Sequence, residues 1–201
     1  MNTMLNSQYY HLESQKNLTK FTRSSEWGRV PIFDKKDNDV ITGGADDDTI
    51  NGGEGDNTIN GMEGNDLIFG NGGKDIIYSG DGKDTIVGGE GNDTINGGED
   101  DDTIDGGAGK DIIDGGEGND SIFGGEDDNI INGGAGNNTI YGGNGDDLIL
   151  GNGGNDIIDG GEGNDKLYGR VGNDIINGGQ DDDTIDGEDG NDKLNGGMAT
   201  I

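Results

Sequence analysis

The chain has no cysteine, and only one proline, one tryptophan and one histidine among its 201 residues. Without cysteine there is no disulfide framework, no thiolate nucleophile and no zinc ribbon. With His11 alone there is no zinc centre of the His-Glu-x-x-His kind, which needs two imidazoles on one helix face. Apolar side chains are scarce as well. Hydrophobic residues make up 26% of the chain, and Ile, Leu, Val and Phe together number 39. That share sits at the roughly 20% line below which highly charged chains tend to stay disordered. A conventional packed core is therefore not expected, and no apolar run is long enough to span a bilayer. Positive charge is the last scarcity. Twelve Lys and Arg stand against 43 Asp and Glu, for a net charge of −31, which excludes nucleic-acid binding through a basic face. Such a chain is either disordered or completed by something that it does not encode.

What the chain has instead is glycine, 46 residues of it, and acid, and neither is spread evenly. Residues 1–42 carry six bases and five acids, whereas residues 43–201 carry a balance of −32. Pro31, Trp27 and His11 all lie in the first segment. Beyond a boundary near residue 33 the chain repeats every nine residues, the mark of a solenoid. Seventeen units run from Gly43 to Asn195 without insertion or deletion. One of them reads Gly88-Gly89-Glu90-Gly91-Asn92-Asp93-Thr94-Ile95-Asn96, and its residues define positions one to nine. Position eight is always Ile or Leu. Position six is Asp in all units but three, where Asn57, Asn129 and Asn138 stand. A degenerate unit, Asp34 to Thr42, precedes these with Asp39 and Ile41 in the matching places, and a partial unit, Gly196 to Ile201, follows.

A lone apolar residue between polar neighbours reads as a three-residue strand pointing one side chain inward. The other six residues read as a turn, with glycine at positions one, two and four giving positive φ and close backbone approach. Nine residues leave no room for a helical crossover. Successive strands therefore belong to opposite sheets, and eighteen residues complete one coil of an all-β parallel solenoid. Its interior is a thin stack of isoleucines. At the turns, position six recurs every second unit, so its carboxylates stack at about the 4.8 Å spacing of neighbouring strands. A divalent cation between coils would relieve that repulsion.

Position for position the unit resembles the RTX nonapeptide repeat Gly-Gly-x-Gly-x-Asp-x-(large apolar)-x. Over residues 34–201 the chain is similar to the RTX (hemolysin-type) calcium-binding family, as in the C-terminal domains of serralysin-type proteases and in RTX toxins. The resemblance implies a right-handed parallel β-roll with calcium between loops eighteen residues apart. Its ligands would be position-six side chains and loop carbonyls, an all-oxygen set that suits Ca²⁺ better than Mg²⁺. One edge would use Asp48, Asp66, Asp84, Asp102, Asp120, Asn138, Asp156, Asp174 and Asp192. The other would use Asp39, Asn57, Asp75, Asp93, Asp111, Asn129, Asp147, Asp165 and Asp183. Pairing each loop with the loop two units on predicts up to about fifteen ions. Asn57, Asn129 and Asn138 keep an oxygen but lose the charge, and since Asn129 and Asn138 lie in adjacent units on opposite edges, the weakest sites are expected there, in the middle of the roll. Asp46, Asp100, Asp127 and Asp181 replace glycine at position four, either as outer ligands or as solvated carboxylates. Met62, Asn71, Asn152, Arg170 and Glu188 show that position two tolerates a side chain.

Nothing distinguishes one carboxylate from its equivalents, so no catalytic residue and no enzyme activity are expected. The functional expectation is calcium binding by a folding module of a secreted bacterial protein, unfolded without calcium and folded after export. RTX relatives leave by a type I route without an N-terminal signal peptide, and none is visible here. Two other readings stay open. One is the accessory domain of a secreted protease, lipase, polysaccharide epimerase or toxin whose catalytic part lies elsewhere. The other is a calcium-dependent adhesin or surface-layer component. Partners beyond calcium would be a second copy meeting the roll's ends or faces, a larger secreted protein, or a host surface. The outward positions seven and nine are too irregular for an ice-binding array. Residues 1–33 are expected to form a cap or linker, with Leu5, Tyr9, Tyr10, Leu12, Leu18 and Phe21 offering a short amphipathic helix, and 34–201 the roll. The last unit breaks off at Ile201, as in a fragment or a roll capped by a partner chain.

Overall fold

The computed structural model of the chain describes residues 21–22, 31–33, 36 and 38–197. They form two parallel ten-stranded sheets, and consecutive strands alternate between the sheets. From Pro31 on, each strand pairs with the one eighteen residues on: Ile104 lies beside Ile122, which lies beside Ile140. The solenoid read from the nine-residue spacing is the observed architecture. Among the described residues no helix is long and apolar enough to cross a membrane. The helix expected between Leu5 and Phe21 lies almost wholly outside the described residues. Two short strands upstream of residue 34 extend the sheets: Phe21–Thr22 pairs with Ile41 and Thr42, and Pro31–Phe33 with Thr49 to Asn51.

The strands are longer than the three residues expected. Most run for six, from position seven to position three of the next unit, as in Thr94–Glu99 and Ile112–Glu117. The extension passes through the Gly-Gly pair. Ladder partners jump from Asp105 and Phe123 to Gly107 and Gly125, passing over position one. Glycine at that position is there for space: a Cβ on Gly106 would lie 2.5 Å from the Gly124 carbonyl oxygen and 2.6 Å from Asp111 Oδ2. Positions two and four favour glycine for a second reason beside space, a left-handed backbone; a Cβ on Gly107 would also lie 2.2 Å from the Gly89 carbonyl oxygen. Met62, Asn71 and Arg170 hold φ of 88°, 78° and 76° at position two without it. Side chains are tolerated there at a cost of about 1–2 kcal/mol each.

The core is a single column per sheet. Ile41, Ile50 and every position-eight residue through Ile176 are buried. Each stacks between the equivalents one coil away and faces the other sheet's column. The last coil is different: Ile185 is only partly buried and Leu194 is 52% exposed.

Candidate metal centre

The turn that joins the two sheets carries positions four to six, and it buries the position-six side chain almost as completely as the isoleucine two residues on. Asp75 and Asp93 are at most 1% exposed, as are Asn57, Asn129 and Asn138. A carboxylate so deep needs partners. Its Oδ1 finds one in the coil before, where the backbone N–H of the equivalent residue donates to it. On one edge these bonds run without a break from Asp48 through Asp66, Asp84, Asp102, Asp120, Asn138, Asp156 and Asp174 to Asp192, at 2.6–2.9 Å. On the other they run from Asp39 through Asn57, Asp75, Asp93, Asp111, Asn129, Asp147 and Asp165 to Asp183, at 2.7–3.0 Å. All eighteen residues singled out from the repeat thus stand in the two predicted columns.

The second carboxylate oxygen has no such partner. Oδ2 of Asp66, Asp93, Asp102, Asp111, Asp120, Asp156, Asp165, Asp174 and Asp183 is buried and meets no hydrogen-bond donor. It points at the gap left by position-one glycine. Beside Gly88 and Gly106 the same small space is bordered by Oδ2 of Asp93 or Asp111 and by the position-one carbonyl of the next coil. Two acceptors converge there with no hydrogen between them. Burial pushes Asp66, Asp111 and Asp147 up to about 7 and Asp102 up to about 8. The backbone N–H from the previous coil opposes that shift, and the carboxylate one coil away adds to it.

Among the described residues no group of three or more His, Cys, Asp or Glu side chains is placed to hold a metal ion. Apart from the turns of Asn57, Asn129 and Asn138, each turn brings one buried carboxylate, so the remaining ligands of any cation must come largely from backbone carbonyls. That donor set is all oxygen and suits a hard divalent cation. The residues therefore fit calcium on two observations, the orphaned buried oxygen and the cradle a Cβ would fill.

Three features of the turns escape the periodic reading. First, position five forms its own ladder, running the opposite way. The N–H of Asn137, Asn155, Asn173 and Asn191 each donates to Oδ1 of the equivalent residue one coil earlier. Its signal was the run of Asn and Asp at that position, interrupted by Lys74, Lys83 and Lys110. The N–H of Lys83 and Lys110 still donates to Asn65 and Asn92 one coil earlier, while their side chains pair with Asp101 and Asp128 one coil on, and Lys83 with Asn119 holds Asp101 well below the usual carboxylate range. Second, Ser79 is the one non-glycine at position one, and its hydroxyl donates to the Gly97 carbonyl. Third, the position-six asparagines use their extra hydrogens. Nδ2 of Asn57 donates to Gly55 O at 2.9 Å, and Nδ2 of Asn129 to Asp127 O at 3.0 Å. At position four, Asp100 and Asp127 are exposed with φ of 75° and 68°, the placement of solvated carboxylates.

Comparison with known proteins agrees with this geometry. The family model of the RTX calcium-binding nonapeptide repeat (4 copies) matches in nine overlapping segments, the first at residues 32–59 and the last at 168–198. Together they span residues 32–198, all seventeen full units among them. No curated protein matches the chain.

Proposed function

Because the chain belongs to the RTX calcium-binding nonapeptide repeat family, we propose that calcium is what folds it, and that it works as a calcium-dependent structural module outside the cell. Calcium binding itself comes with the family. The coupling to folding rests on one observation: buried, donorless Oδ2 atoms recur coil after coil beside converging carbonyls. A carboxylate left in that state is costly, and like charges repeat along both edges. Calcium at the aspartate turns supplies the missing positive partner for Asp66, Asp93 and their equivalents. Because the ion binds the coiled state and not the open chain, binding free energy becomes folding free energy.

Several facts support a working place outside the cell. Carbonyl-and-carboxylate sites of extracellular modules bind calcium at roughly 10⁻⁴–10⁻³ M. Calcium at that level is found outside cells, so the chain would stay open during synthesis and close after export. The type I route of RTX relatives fits that order of events. The roll carries no distinguished side chain for chemistry, and its role is read as structural.

Circular dichroism during a calcium titration tests the proposal. The expected result is a cooperative rise in β signal with calcium, reversed by a chelator and not reproduced by magnesium. A chain that keeps its β signal in excess chelator at neutral pH overturns it.

A further inference from the structure

At most turns the corner beside position six holds an oxygen with nothing to bond to. At Asn57, Asn129 and Asn138 it does not. There the amide oxygen does what the aspartates' Oδ1 does, accepting the backbone N–H of Asp39, Asp111 and Asp120 at 2.8–3.0 Å. The amide nitrogen takes the place of the orphaned Oδ2. It donates back to the position-four carbonyl of its own unit: to Gly55 at 2.9 Å, Asp127 at 3.0 Å and Gly136 at 3.5 Å. The turn is closed by a hydrogen bond that the chain itself provides.

From this geometry we propose that Asn57, Asn129 and Asn138 are closures that take no ion, so that they, rather than the number of repeats, set how many calcium ions the roll holds. The inference rests on calcium being the partner of the aspartates. An amide nitrogen offers a cation two hydrogens and no lone pair. To bind there, an ion would have to break the bond to the position-four carbonyl and displace an N–H pointed at it. The sequence reads Asn129 and Asn138 as the weakest sites, because asparagine keeps an oxygen. In the structure that oxygen is already used, and the group facing the gap has the wrong polarity.

Their placement gives the exchange a consequence. Asn129 and Asn138 lie in adjacent units on opposite edges, so the coil of residues 124–141 is closed at both turns without calcium. Aspartate-lined coils lie on either side, and the roll is divided at its middle.

The test counts calcium bound at saturation by equilibrium dialysis and compares two exchanges in opposite directions. The double variant Asn129→Asp/Asn138→Asp is expected to bind about two more ions than the wild type, and Asp93→Asn about one fewer while still forming the roll in calcium. An unchanged count in either variant overturns the proposal. Loss of the roll in Asp93→Asn at saturating calcium overturns it too, since the amide would then not replace the ion. Should the double variant fail to fold, the Asp93→Asn count decides. A wild type that binds no calcium would instead strike the functional reading, so the two failures are distinct.

Discussion

An interior coil and the last coil have nearly the same sequence and very different surroundings. Ile113 is 1% exposed, whereas Leu194, at the same position of its unit, is 52% exposed. A Cβ on Gly106 would be pressed between a carbonyl and a carboxylate, and one on Gly196 would meet nothing within 4 Å. No difference in local propensity separates them. A coil of this solenoid buries its apolar residue only when a coil lies on each side, because a sheet with one inward residue per strand has no other cover. Stability therefore belongs to the stack and not to the unit, as in other repeat proteins.

That contrast can be broken by paired substitutions. Ile113→Ala is expected to cost about 3–4 kcal/mol, since the column on both sides cannot collapse into the gap. Leu194→Ala should cost under about 1 kcal/mol, because most of the side chain is already in water. Denaturant unfolding in saturating calcium measures both, and equal effects would refute the contrast. Gly106→Ala comes next, at about 3 kcal/mol, because the clash is with backbone that cannot move without parting two coils. Gly196→Ala should leave both stability and the calcium midpoint where they were. A silent Gly106→Ala would mean that the coils are less tightly stacked than the distances indicate.

A smaller effect separates protons from calcium as partners of the interior carboxylates. Folding raises Asp66, Asp102, Asp111 and Asp147 from their ordinary 3.8 to about 7–8, with burial as the main cause. The neutral form is thus favoured in the coiled state. Its contribution is fully present below the ordinary carboxylate range and is lost as pH rises through about 7–8. Calcium-free chain is expected to gain part of its β signal between pH 7 and pH 4. With calcium present the midpoint should move the other way, to higher calcium as pH falls, because protons compete for the same oxygen. Circular dichroism at a series of pH values follows both. A calcium-free chain equally open at pH 4 and pH 8 would show that the buried carboxyls do not control closure.

The columns of isoleucine and aspartate were legible in the sequence because each is a fixed residue type at a fixed spacing, and eighteen residues per coil followed from the lack of room for a crossover. What a period does not show is which atoms face one another across coils. Glycine at positions one, two and four looks alike in the sequence, yet Gly106 is needed for space alone, whereas Gly107 combines a left-handed φ of 99° with a backbone carbonyl 2.2 Å from where its Cβ would lie. The strands run on through those glycines, and the length of Thr94–Glu99 could not be read from its single inward apolar residue. The asparagines of position six were visible as departures. Their bonds to position four were not, since they depend on which way the amide nitrogen points. Ser79 and the position-five ladder were overlooked because neither is apolar, acidic at position six, or glycine.

A stack of near-identical units has a problem of bookkeeping along its axis. If one coil were skipped, isoleucine would still lie on isoleucine and aspartate on aspartate, and the two columns would hardly register the error. Only the irregular residues can tell one coil from another. With a coil omitted, Lys83 would face Asn119 in place of Asp101, and Phe123 would lose the ring of Tyr141 that now stacks 5.1 Å from it. The exceptions to the repeat, scattered over the outside of the roll, are the marks by which the chain finds its place.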